Sequence, residues 1–257
     1  MSHISYSELK IWNECAYKHK LKYVDRIDAF KGNEFTAFGT AIHEACEKTL
    51  LDNKTNANEV FLLKFIEELS SLKENEVSFD KNLITDMREQ GKRIFPHVLP
   101  ALNSYFGKNY KVVSTEEQLY EQIEGLDCKF KGFIDLVLES EGKYHVIDWK
   151  TCSWGWDARK KADKMITYQL TLYKHFYAKK HGIDPNNIET HFALLKRTAK
   201  KKNVELFRVT SGAKKTKNAL NLLNKAVYNI KNKKHFKNRL ACTQGYGCEF
   251  YRTKNCK

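Results

Sequence analysis

Two aspartates and a lysine stand close together in mid-chain, in Gly132-Phe133-Ile134-Asp135 and in Val146-Ile147-Asp148-Trp149-Lys150-Thr151. Side chains alternate across an extended strand, so Asp148 and Lys150 point to one face, and Asp135 on a neighbouring strand can reach it. Charges set into apolar strands are costly to desolvate without a compensating partner. Two converging carboxylates form a hard oxygen site suited to Mg²⁺ or Mn²⁺. Such an ion activates water and neutralises charge developing on a phosphodiester, while an ammonium beside it orients or helps deprotonate that water, or stabilises the pentavalent transition state. The plainer reading is an Asp–Lys pair on an exposed strand face, with Asp135 in a turn. The sequence order, the adjacent strands and the apolar surroundings favour the chemical one.

The elements that must hold these residues follow from spacing. Ser5-Tyr6-Ser7-Glu8 has capping-box spacing and predicts a helix running towards Cys15. Ile42, Ala45, Cys46 and Leu50 recur at helical intervals within 40–51, and further helices are expected near 57–72 and 82–106, the second kinked or divided by Pro96 and Pro100. Strands are expected at 111–123, 127–139 and 143–151, with a tight turn at Glu141-Gly142. A helix at 163–181 should end at Gly182, strands at 188–196 and 203–209 should flank a lysine-rich turn, and a basic helix should cover 213–234. This order predicts an α/β chain with a central mixed β-sheet flanked by helices and a helical N-terminal part. With three prolines and no low-complexity linker, one domain over 1–257 is the economical reading. It has a mainly helical part (1–110), a catalytic sheet core (111–210) and a basic helix with a cysteine-containing C-terminus (211–257).

The net charge is +14, and from Leu206 to Cys248 ten Lys and Arg face no Asp or Glu. Such a stretch is either a solvated surface or a track for a polyanion, and charge alone does not separate nucleic acid from an anionic membrane. Lys200, Lys201, Lys202, Lys214, Lys215 and Lys217 are the candidate nucleic-acid contacts. Apolar runs are far shorter than the ~20 residues that span a bilayer, and no secretory pattern opens the chain, so a cytoplasmic protein, of a bacterium or a phage-infected cell, is expected. Trp154 and Trp156, directly after the Asp148 strand, are either lids on a core or stacking platforms for unpaired bases.

Asp135 with Asp148-x-Lys150 on the following strand resembles the PD-(D/E)xK nuclease pattern, and more narrowly the RecB-like exonuclease branch. The resemblance covers nearly the whole chain: Ser5-Tyr6-Ser7 through Cys15 to Tyr23, Gly39-Thr40-Ala41-Ile42-His43, the catalytic strands, and Gln169-x-x-x-Tyr173 follow the family's order. It implies a restriction-endonuclease-like core, and His43 as a metal ligand beside Asp135 and Asp148. Gln169 and Tyr173, one helical turn apart, would face the active site. It also leads one to expect an acid on the strand before Asp135. Val113, Thr115, Glu117, Leu119 and Ile123 share the more apolar face, so simple alternation selects Glu117 over Glu116. In many members of the branch one N-terminal and three C-terminal cysteines hold an iron–sulfur cluster, and Cys15, Cys242, Cys248 and Cys256 match in number and placement. Their gaps of five and seven residues depart from the usual Cys-x-x-Cys pair, leaving a [4Fe–4S] cluster, a zinc site and free thiols as alternatives. Cys46, Cys128 and Cys152 read as small core residues.

The resulting expectation is a stand-alone, Mg²⁺- or Mn²⁺-dependent exonuclease acting on DNA ends or single strands. The alternative is a nucleic-acid-binding module on a nuclease scaffold that has lost catalysis. No Gly-x-x-x-x-Gly-Lys-Ser/Thr loop is present, so unwinding would come from a helicase or recombination partner.

Overall fold

Ser5 opens the first helix as its spacing predicts. Its hydroxyl accepts the Glu8 N–H at 3.1 Å, and helix α1 spans Tyr6–Glu14. Glu8 itself is buried, and its carboxylate pairs with His19 at 2.7 Å. The computed structural model describes residues 1–27, 30–245 and 247–257. After α1 come α2 (Ala16–His19), a π-helical turn, α3 (Glu34–Leu51), α4 (Ala57–Glu74), α5 (Lys81–Ile94) and α6 (Val98–Phe106). The long helix expected near 82–106 is divided at Phe95–His97, where Pro96 lacks the N–H that would continue it. The strands are β1 (His3–Ser5), β2 (Lys111–Gln122), β3 (Lys129–Ser140), β4 (Lys143–Cys152), β5 (Ile188–Lys196) and β6 (Val204–Val209). Between β4 and β5 lie α7 (Ala158–Ala162) and α8 (Lys164–His181), and α9 (Ala213–Lys231) follows β6.

Glu141 and Gly142, at φ 51° and 73°, make the tight β3–β4 turn, as two-residue hairpin turns with both centres left-handed do. Pairing runs β1-β3-β4-β5-β6, with β2 also on β3. The β4–β5 pair is parallel, with α8 in its crossover, while β3–β4 and β5–β6 are antiparallel. The sheet is therefore mixed, helices flank it, and the fold is the restriction-endonuclease-like α/β type. Sequence reasoning missed β1, three residues that pair parallel with Lys129–Lys131. Among the described residues no helix is long and apolar enough to cross a membrane.

The chain divides into two compact units. The larger comprises 31–118 and 133–211, and its core joins α3–α6 to one sheet face through Phe38, Ile42, Phe61, Phe65, Leu102, Leu136, Ile147 and Trp149. Phe61 sits among the rings of Phe38, Phe65 and Phe95 at 5.5–5.7 Å. The smaller comprises 1–30, 119–132 and 212–257. Here Leu9, Phe130, Ala219, Leu223, Val227 and Phe250 are buried, and α1 contacts α9.

Candidate active site

Asp148 and Lys150 alternate onto one face of β4, and the Lys150 ammonium lies 2.6 Å from Asp148 Oδ2. That ammonium is the charged partner of this buried oxygen. Asp148 Oδ1 accepts from the Gln169 side-chain amide at 2.6 Å, and the same nitrogen donates to the Tyr173 hydroxyl at 3.2 Å. One helical turn separates Gln169 and Tyr173 on α8, which aligns both with the carboxylate. Asp135, on β3, is held across the hairpin by the Trp149 backbone N–H, which donates to its Oδ2 at 2.6 Å. His43 Nδ1 approaches Asp135 Oδ1 to 3.6 Å from α3. Gly39, one turn earlier, lets α3 come close to β4: a Cβ there would lie 3.4 Å from Thr151 Oγ1. Asp135, Asp148, Lys150, His43, Gln169 and Tyr173 are thus brought together.

Glu117 is not among them. Its carboxylate is bound by Lys180 at 2.6 Å and His181 at 2.9 Å. Burial would raise its pKa, but those partners outweigh burial and hold it below the usual carboxylate range. Of the two acids, Glu116 is the one that feels the charges of Asp135, Asp148, Glu47 and His43, although it is exposed. Glu116 has φ 48°, a left-handed residue inside β2; burial alternates regularly from Thr115 through Glu117 to Leu119, and its break lies earlier, where Ser114 and Thr115 are both half-buried. A left-handed residue can re-aim its own side chain out of the strand's alternation, which a count along the sequence cannot register. The only sequence signal was the pair of adjacent acids.

The electrostatics suit a cation. Burial, then the charges of Asp135 and Glu47, push Glu116 up to about 7. Burial also raises Asp148, and Asp135 adds to it, against the pull of Lys150. Burial would lower His43, but its bond to Asp135 wins and raises it. Crowded carboxylates that resist ionisation form a hard oxygen set that a divalent ion would neutralise.

Trp154 is 70% exposed. Trp156 is half-buried and packs on Phe192 and Phe207 at 5.3 and 6.1 Å, with the Lys160 ammonium 4.7 Å over its ring, so it is a packing residue. Lys200, Lys201 and Lys202 are exposed in the β5–β6 turn, and Lys214 and Lys217 are exposed on the first turns of α9, with Lys215 half-buried. Within the smaller unit, Cys15, Cys242, Cys248 and Cys256 line one cavity together with Lys18, Lys237 and Arg239. The five-residue gap closes through left-handed Gly245 and Gly247, and the Cys248 N–H reaches the Cys242 carbonyl at 3.0 Å. Among the described residues no three of these sulfurs lie within 4.8 Å of one another. Four thiolates around one zinc at ~2.3 Å would be roughly 3.8 Å apart. Cys46 and Cys128 are buried core residues and Cys152 is half-buried.

Comparison with known proteins places this geometry in a family. The PD-(D/E)XK nuclease superfamily matches residues 3–254. No curated protein is similar in sequence. A crystal structure from Eubacterium rectale, a provisional exonuclease, is 12% identical, with a TM-score of 0.61 over 98% of this chain and 89% of that one, and shares the fold. LHK-Exo in complex with dAMP is 11% identical over 78% of this chain and 96% of that one; its TM-score of 0.28 is too low to carry an argument. The nucleases of this family use divalent metals. The match over nearly the whole length and the converged Asp135, Asp148 and Lys150 agree: the chain belongs to the PD-(D/E)xK nuclease superfamily.

Proposed function

We propose that the chain is a RecB-like DNA exonuclease, one domain over 1–257, that hydrolyses phosphodiester bonds at DNA ends or in single strands with Mg²⁺ or Mn²⁺. The observation that carries this reading is the meeting of Asp135, Asp148, Lys150 and His43 from three elements, with Glu116 electrostatically coupled to them. Asp135, Asp148, Glu116 and His43 would hold the ion. When bound, it supplies Lewis-acid activation of water and neutralises phosphate charge. Lys150 orients the attacking water beside the scissile phosphate and offers its charge to the developing oxyanion. Gln169 fixes the Asp148 carboxylate and Tyr173 fixes Gln169; burial keeps the Tyr173 hydroxyl protonated, so it remains a donor. Of the two tryptophan candidates, Trp154 is the exposed one and would stack on a base. Incubation of end-labelled single- and double-stranded DNA with Mg²⁺ or Mn²⁺ tests the proposal. Mononucleotide release from labelled ends supports it, internal cuts on circular DNA replace it with an endonuclease, and intact DNA under every condition overturns it.

On this reading the basic start of α9 serves as a phosphate track, and the Lys200–Lys202 turn of the larger unit offers phosphate contacts of its own. Substituting Lys214, Lys215 and Lys217 by glutamine should weaken DNA binding and lower the slope of log affinity against log salt by roughly 2 to 3. Fluorescence anisotropy across a KCl series measures it, and an unchanged slope moves the track elsewhere.

The four cysteines of the smaller unit hold a [4Fe–4S] cluster on the same reading, since their sulfurs are spread wider than one zinc ion needs. Anaerobically purified protein should contain iron and acid-labile sulfide, and Cys256→Ala should lose both. Zinc alone would replace the cluster with a structural zinc site. The working place would be the cytoplasm, and any unwinding would come from a separate helicase or recombination partner.

A further inference from the structure

A second set of ligand-type side chains converges away from the carboxylate centre. His145 lies on β4, and Glu189 and His191 lie on β5; the parallel register sets His145 beside Glu189 and Ile147 beside His191. Alternation puts all three on the sheet face opposite Asp148, and His145 is roughly 10 Å from Asp148 along β4. One ligand atom from each residue lies within 4.8 Å of the other two. His145 Nδ1 and His191 Nε2 are 3.1 Å apart.

An imidazole–imidazole hydrogen bond accounts for only part of this arrangement. His145 also donates a ring N–H to the Ser140 backbone, and a neutral imidazole has one N–H, so Nδ1 presents a lone pair to His191. His191 presents Nε2 to that lone pair from a residue 1% exposed. Burial, reinforced by His145, pushes His191 down to about 3, and burial lowers His145 too, so both rings are neutral near pH 7. Phe106 closes over them, with ring centroids at 4.7 and 5.1 Å. Glu189 meets Lys143 at 2.9 Å and Arg208 at 3.2 Å, but both cations use Oε1, which leaves Oε2 available. Two imidazole nitrogens bound at ~2.0–2.1 Å to one tetrahedral ion sit roughly 3.3 Å apart, close to the separation found here.

We propose that His145, Glu189 and His191 form a site for a borderline divalent transition-metal ion, with Zn²⁺ the best match, separate from the carboxylate centre. Two neutral imidazoles and one carboxylate are a zinc-type set, whereas a hard ion such as Mg²⁺ prefers oxygen alone. The outer partners are in place: the Ser140 backbone orients His145, and Lys143 with Arg208 orients Glu189. Bound there, the ion would add a side-chain clamp to the parallel β4–β5 pair, whose chain connection runs through α7 and α8, and so help hold the strand that carries Asp148 and Lys150.

Zinc titration of the full-length chain in excess Mg²⁺ tests the site, with bound zinc counted by metal analysis and Tm recorded in parallel. The parent should bind one more equivalent than His145→Phe, which keeps an aromatic ring under Phe106, and its Tm should rise with zinc where that of the variant does not. Glu189→Gln, at the rim, should weaken binding at least about tenfold, and decides the matter by itself if His145→Phe fails to fold. Equal zinc stoichiometry and affinity in the parent and Glu189→Gln would overturn the proposal. Since the readout is zinc and not cleavage, the result is independent of the nuclease reading.

Discussion

Asp148→Asn should lower the rate of DNA cleavage by about a thousandfold or more, equivalent to roughly 4 kcal/mol of transition-state stabilisation. The substitution keeps the shape of the side chain and its bond to Gln169, and it removes a buried charge beside Asp135, so the fold should persist. What it removes is the charge on Oδ2, the buried oxygen that faces Lys150. Lys150→Ala should cost roughly 10²–10⁴-fold, the range for a positioned acid–base group. The sharper comparison is on β2. Glu116→Gln should lose activity on a scale near that of Asp148→Asn, while Glu117→Gln, whose carboxylate is bound to Lys180 and His181, should cleave at close to the parental rate. Initial rates on end-labelled DNA, with binding by anisotropy and folding by thermal melts, separate chemistry from collapse. Parental rates in Asp148→Asn and Lys150→Ala would dismiss the assigned centre, and inactivation by Glu117→Gln instead of Glu116→Gln would restore the simple strand count.

Gly91→Ala should destabilise the protein by about 2 kcal/mol although it lies mid-helix, where alanine is intrinsically favoured by ~1 kcal/mol. A Cβ at this position of α5 would sit 2.4 Å from two ring atoms of Phe61, far inside the 3.5–4.0 Å at which carbon atoms rest. Phe61 is fully buried and fenced by Phe38, Phe65 and Phe95, so the ring has no room to retreat. Overpacking of this kind costs about 1–3 kcal/mol and sometimes more, enough to reverse the propensity gain. Tm should fall by several degrees. Phe61→Leu trims the obstructing ring, so the double variant should be less destabilised than the two single changes summed. A Gly91→Ala protein as stable as the parent would show that the contact relaxes at no cost.

Much of the architecture could be read along the chain because its causes are local. Ser5 caps its helix, Pro96 divides the long one, Glu141-Gly142 turns the hairpin and Gly182 ends α8 at φ 64°. Each depends on the conformational limits of one or two residues. Asp148 and Lys150 were legible for the same reason, since period-two alternation is a property of a single strand. Glu116 was not, because it is a left-handed residue inside β2, a backbone state that alternation does not foresee. Trp156 likewise lost its surface role to Phe192 and Phe207, partners far along the chain.

By itself, the sequence determined which elements form and which side chains carry charge, because backbone sterics and amphipathic spacing act over a few residues. Only the tertiary structure decided which charges meet. His43 reaches Asp135 because Gly39 admits α3 close to β4, and Trp149 fixes Asp135 across the hairpin. His145 meets Glu189 and His191 through a parallel register that α8 closes. Such encounters are set by packing between distant segments, where burial and neighbouring charge then decide how each group ionises.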